Sequence, residues 1–86
     1  MNVYLNDLKP YFNIIDIRDK DEYIRGHVFN AKNIPMAELL NNPSYFLNKM
    51  DTYYIYCKSG YRSKKACLFL TQLGYKVVNV IDGYGE

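Results

Sequence analysis

The sequence predicts an α/β fold, a small and mostly parallel sheet with helices on both faces. Three observations carry this. Short β-branched or aromatic runs alternate with helix-forming segments, the connections between them are short, and no apolar run exceeds strand length. Strands separated by helical segments pair in parallel, and a parallel sheet needs a cover on each face. The 86 residues suffice for one hydrophobic core and not for two, so residues 1–86 are expected to form a single domain. A composition with 49% hydrophobic and 23% charged residues fits a soluble globular chain.

Taken in order, Ile14-Ile15-Asp16-Ile17 is the first predicted strand. Asp19, with Glu22 three residues later, has the spacing of a capping box and opens a short helix through Tyr23 to Arg25, which Gly26 ends. Ala31 to Ile34 forms another short strand. Pro35 starts a helical turn through Leu40, and Asn42-Pro43-Ser44 reads as a turn before Tyr45-Phe46-Leu47. Tyr53 to Tyr56 is a strand that delivers Cys57 into a loop. Ser63 is the expected N-cap of the next helix, Ser63 to Leu73, whose Ala66, Cys67, Leu70 and Leu73 recur at helical spacing before Gly74. Val77-Val78-Asn79-Val80-Ile81 is the last strand.

The stretch that carries chemistry is Cys57-Lys58-Ser59-Gly60-Tyr61-Arg62-Ser63. Ligands of parallel sheets bind beyond the carboxyl ends of the strands, which is where Cys57 falls. Backbone N–H groups of such a loop and of the following helix start point at whatever the sulfur carries, and they favour thiolate over thiol. The charge pattern agrees. Residues 1–56 hold six Lys or Arg and seven Asp or Glu, whereas residues 57–81 hold five cations (Lys58, Arg62, Lys64, Lys65, Lys76) and no acid. Lys64 and Lys65 fall in the first turn of the predicted helix, where each opposes the helix dipole by about 0.3–1 kcal/mol. A local rule broken beside a reactive group marks a functional site.

Other residues receive plainer readings. Cys67 sits on the apolar face of its helix and belongs to the core, and a disulfide to Cys57 would need Cα atoms within about 7 Å. His27 reads as a structural hydrogen-bonder ahead of a general base, Asp16 and Arg18 read as a structural ion pair ahead of a pair that reaches the loop, and Tyr61 is placed to wall the pocket. No set of His, Cys and carboxylates has metal-ligand spacing, and no glycine-rich nucleotide loop is present. The basic residues converge on one loop rather than along a stripe, which argues against nucleic acid as the partner. Two cysteines are too few for a disulfide framework, and neither a membrane span nor a signal peptide is visible, so the expected location is cytoplasmic.

Several motifs in order resemble the single-domain rhodaneses, the thiosulfate sulfurtransferase family. These are Ile15-Asp16-Ile17-Arg18, then Glu22-Tyr23 with Gly26-His27-Val28 and Ala31, then Asn33-Ile34-Pro35, the Cys57–Ser63 loop with Ala66, and Leu70, Gly74-Tyr75, Val77 and Asp82-Gly83. The resemblance implies a rhodanese-like three-layer fold and a sulfurtransferase without a cofactor. Cys57 would carry a persulfide, and the amides from Lys58 through Ser59, Gly60 and Tyr61 to Arg62 would cradle its outer sulfur. Arg62 would brace the loop, and Lys58 would attract the donor. The implied partners are a small anionic sulfur donor such as thiosulfate and a sulfur-donor or sulfur-carrier protein. Phe29-Asn30 replaces the family's usual Pro-Gly, with Asn30 able to take the left-handed turn, and Tyr84 replaces a second glycine. Two alternatives stay open: a small cysteine phosphatase, although only four residues separate Cys57 from Arg62 where those enzymes use five, and a non-catalytic module presenting Lys58, Lys64 and Lys65 to an acidic partner.

Overall fold

The computed structural model describes residues 1–85. Its strands are β1 (Asn2–Val3), β2 (Asn13–Asp16), β3 (Lys32–Asn33), β4 (Thr52–Tyr56) and β5 (Lys76–Val80). The helices are α1 (Lys20–Arg25), α2 (Met36–Asn41), α3 (Pro43–Phe46) and α4 (Tyr61–Gln72), with a 3₁₀ turn at Leu5–Asp7. The sheet order is β1-β5-β4-β2-β3 and every pairing is parallel.

Alternation along the strands divides the core between the two faces. Ile15, Ile17, Ile55, Cys57 and Val77 pack with Leu39 of α2 and with Ala66, Cys67 and Leu70 of α4. Ile14, Tyr56 and Val80 point the other way, against Leu5, Tyr23, Val28 and Tyr84. The central strand β4 lies between β2 and β5, with Ile55 opposite Ile15 on one side and Asn79 on the other, so Cys57 leaves the most enclosed edge of the sheet.

Several boundaries differ from the sequence expectation. Helix α4 begins at Tyr61, with Gly60 rather than Ser63 as its N-cap. Gly60 has φ 86°, and a Cβ there would lie 2.1 Å from the Ile81 carbonyl oxygen, so only glycine lets the loop lie this close to the end of β5. Ser63 is therefore the third helical residue, and Lys64 and Lys65 lie just past the first three positions, where the dipole acts less on them. The segment after Asn42 closes into a single helical turn with Pro43 at its first position, because that position needs no N–H donor. The two-residue strand β1 and the Leu5–Asp7 turn have no counterpart in the sequence pattern. Asn30 does take the left-handed conformation, φ 68°, and its Nδ2 donates to the Pro10 carbonyl at 3.1 Å.

Candidate active site

The apolar alternation of β4 ends at Cys57, and the chain then turns through Lys58, Ser59 and Gly60 into α4. This short path folds the loop back on the sulfur. Cys57 Sγ accepts hydrogen bonds from the amides of Gly60 at 3.2 Å and Ser63 at 3.3 Å, and the thiol donates to Ser63 Oγ at 3.5 Å. Ser63 Oγ donates onward to Asn79 Oδ1 on β5. Cys57 is only 1% exposed, and burial alone would raise its pKa. The Ser63 hydroxyl and the amides of Ser63, Ser59 and Gly60 outweigh burial, so the thiol lies below its ordinary value. Cys67, on the same face of the sheet, shows the opposite balance: burial pushes its thiol up to about 12. Both cysteines are free.

The other residues of the predicted loop are spread over different environments. Lys58 and Ser59 are exposed and Gly60 is buried. Tyr61 is 65% exposed and does not wall the sulfur; its ring lies under Lys65 Nζ, 4.6 Å from the ring centre, because the first residue of α4 faces away from the sheet. Arg62 turns toward α1, with Nη2 3.7 Å from Glu22 Oε1. The described residues that bond the sulfur thus include Ser63, which lies beyond the expected Lys58–Arg62 range. Its partner Asn79 was also missed. The signal for it was present, since an amide inside Val77-Val78-Asn79-Val80-Ile81 must find a hydrogen bond once the strand is buried.

A second cluster holds the loop from the opposite face. Arg18 and Asp16, both fully buried, form a two-pronged pair: Arg18 Nη2 lies 2.8 Å from Asp16 Oδ2, and Nε lies 3.0 Å from Oδ1. Asp16 Oδ2 also accepts from the Tyr56 hydroxyl at 2.8 Å, and that hydroxyl accepts from the Val28 amide. Burial pushes the Tyr56 phenol upward, and its bond to Asp16 acts in the same direction, so it stays a donor. Arg18 further donates to the carbonyls of Gly26 at 2.6 Å and Tyr84 at 3.4 Å, with its guanidinium 5.0 Å from the Tyr84 ring centre.

Through Tyr84 this pair reaches the cysteine. The Tyr84 amide donates to the Cys57 carbonyl at 2.8 Å. Gly83, at φ 65°, lies so close that a Cβ would fall 2.5 Å from the Lys58 carbonyl oxygen. Residues 82–84 therefore form a strap across the loop, and Asp82 Oδ1 anchors it by accepting from the Leu5 amide at 2.8 Å. Tyr84 thus fills the place of the expected glycine with a ring that Arg18 holds. His27 takes the structural role expected of it, with Nδ1 2.8 Å from the Tyr23 carbonyl oxygen and its ring stacked on Tyr23.

Among the described residues no group of His, Cys, Asp and Glu could hold a metal ion, and no helix is long and apolar enough to cross a membrane.

Residues 3–86 match the family model described as a rhodanese-like domain. The chain is 38% identical over 78 residues to the putative sulfur carrier protein YrkF of Bacillus subtilis, a match covering 90% of this chain and 42% of that protein. It is 38% identical over 84 residues to thiosulfate sulfurtransferase 18 of Arabidopsis thaliana, covering 81% of this chain and 62% of the relative. It therefore spans about half of these two relatives. A crystal structure from Staphylococcus saprophyticus superposes with a TM-score of 0.78 at 40% identity, over 86% of this chain and 76% of that one.

Proposed function

Because the chain belongs to the rhodanese family, we propose that it is a sulfurtransferase that moves sulfane sulfur through a persulfide on Cys57. The observation that carries this reading is the cradle of N–H donors and the Ser63 hydroxyl around Cys57 Sγ, which lowers the thiol pKa despite burial. In the first half-reaction the Cys57 thiolate attacks the outer sulfur of thiosulfate. A sulfur–sulfur bond forms to Cys57, the original one breaks, and sulfite leaves with its electron pair. In the second half-reaction a thiophilic acceptor such as cyanide attacks the outer sulfur and takes it as thiocyanate, returning the Cys57 thiolate. Two half-reactions on one covalent intermediate give ping-pong kinetics.

In this reading the backbone from Lys58 through Ser59, Gly60 and Tyr61 to Arg62 holds the donor, with the exposed Lys58 attracting an anion from the cytoplasm and a protein persulfide as the alternative source. The phosphatase reading is weaker. The loop amides converge on one sulfur atom, and donors must stand about 2.7–3.1 Å from every oxygen that gains charge, which a ring of this size cannot offer to three phosphoryl oxygens. The binding-module reading gives no reason for a cysteine with a lowered pKa.

Mass spectrometry after thiosulfate treatment tests the proposal. One added sulfur atom is expected, removed by cyanide, retained in Cys67→Ser and absent in Cys57→Ser. Addition at Cys67 alone, or turnover of an aryl phosphate that Cys57→Ser loses, would overturn it.

A further inference from the structure

A serine hydroxyl has one proton and two lone pairs. In this structure the proton of Ser63 is committed, because Asn79 Oδ1 can only accept. Ser63 therefore presents a lone pair to Cys57, and the Cys57 thiol donates to it. That arrangement suits the thiol. A thiolate needs the reverse, a hydroxyl that donates to sulfur, and Ser63 can supply it only by withdrawing its proton from Asn79. The Asn79 amide, 4% exposed, must then turn its NH₂ group to Ser63 or lose the bond.

We propose that Asn79 is a positioning residue for the Cys57 sulfur: by competing for the single hydroxyl proton of Ser63, it sets whether Ser63 donates to the sulfur or accepts from it. The cycle of sulfur transfer then alternates between two hydrogen-bond patterns. In the thiol, and in the persulfide whose inner sulfur carries no charge, the Ser63 proton belongs to Asn79. In the thiolate that attacks the donor, and again when Cys57 departs from the transferred sulfur, the proton belongs to Cys57. No net proton transfer to Asn79 is involved, only rotation of one hydroxyl and one amide.

The surrounding groups leave this exchange to Ser63 and Asn79. Cys67 from α4 is held neutral by burial. Asp16 and Arg18 at the end of β2 are closed on each other, and the Tyr56 phenol is held protonated. On the loop, Lys58 is exposed, while Arg62 faces Glu22 of α1.

The inference rests on Cys57 being the nucleophile, but its test reads the titration of Cys57 and not turnover, so a different sulfur donor would leave it standing. The ultraviolet absorbance of the thiolate is followed against pH in the full chain, where Cys67 stays silent. In Asn79→Val the thiol form loses the acceptor for Ser63, and the hydroxyl is free to donate to the thiolate. The midpoint should fall so that about tenfold more thiolate is present at a given pH, the worth of one hydrogen bond to a charged sulfur. The effect must run through Ser63, so Ser63→Ala with Asn79→Val should titrate like Ser63→Ala alone. Asn79→Ser, whose shorter side chain withdraws from Ser63, should shift in the same direction and covers the case in which the valine variant does not fold. An unmoved or raised midpoint in the folded Asn79 variants, or equal shifts with and without the Ser63 hydroxyl, would overturn the proposal.

Discussion

Replacing Gly83 with alanine should loosen the Cys57 loop and leave the sheet intact. The new Cβ would stand 2.5 Å from the Lys58 carbonyl oxygen and 2.7 Å from that of Cys57, and both are backbone atoms that cannot swing aside. The left-handed φ of 65° adds about 1–2 kcal/mol for any residue with a Cβ. Accommodating the methyl group in place would cost more than releasing the strap, so release sets the ceiling. Release gives up the Tyr84 amide bond to Cys57, the Arg18 bond to the Tyr84 carbonyl and the stacking of Arg18 on the Tyr84 ring. At about 0.5–1.5 kcal/mol for each hydrogen bond and about 1 kcal/mol for the stacking, the loss is about 2–4 kcal/mol. Urea unfolding measures that loss, and sulfur transfer from thiosulfate, with the alkylation rate of Cys57, measures the loop. Transfer should fall at urea concentrations where the protein is still folded. A variant with wild-type transfer and a wild-type unfolding midpoint would refute the account of the strap.

Gly60→Ala should be worse and should not be relieved by release, because its Cβ would meet the Ile81 carbonyl at 2.1 Å and Ile81 directly follows β5; circular dichroism in urea should show a larger loss than for Gly83→Ala. Asp16→Asn leaves the buried Arg18 charge without its counter-ion and should cost about 3–5 kcal/mol of unfolding free energy, whereas Tyr56→Phe, which removes one hydroxyl, should cost about 1–3 kcal/mol. The Cys67 thiol, raised in the fold to about 12 from an ordinary 9.0, stabilises the folded state fully below its unfolded value and loses that contribution as pH rises through the folded one. Unfolding midpoints of the wild type should therefore drop more steeply than those of Cys67→Ala between about pH 9 and pH 12, and equal slopes would contradict the burial assigned to it.

Where a segment's conformation depends on its own neighbours, the sequence was readable. Asp19 and Glu22 announced α1, and the Asp19 amide does donate to Glu22 Oε1 at 3.2 Å. Gly74 announced the end of α4 and takes the left-handed conformation, with its amide bonded to the Thr71 carbonyl. The β-branched and aromatic runs placed β2, β4 and β5, and the cysteine loop followed from β4. Ser63 shows where the reading failed. A serine before a helical pattern has a local use as a cap, but its hydroxyl is spent on Asn79, sixteen residues away, while Gly60 takes the cap because the loop must pass under Ile81. Strand β1 escaped because two residues carry no period, and it exists only because β5 offers an unpaired edge. The Asp16–Arg18 pair was visible as a pair, but its connection through Tyr84 to the cysteine loop crosses sixty-six residues of sequence.

The sheet order also sets the sequence in which the cysteine loop is closed as the chain is made. Strand β5 is made after β1, β2, β3, β4 and α4, yet it lies between β1 and β4. A nascent chain that has reached Gln72 already contains Cys57 and the whole of α4. It still lacks Asn79 for Ser63, the Ile81 carbonyl over Gly60 and the Tyr84 amide for the Cys57 carbonyl. The Leu5 amide, made seventy-seven residues earlier, waits for Asp82. The Cys57 loop is therefore closed in two steps: Gly60 and Ser63 can fold back on the sulfur as soon as α4 is made, whereas the contacts from residues 79–84 that lock the loop in place form only after β5 has inserted between β1 and β4.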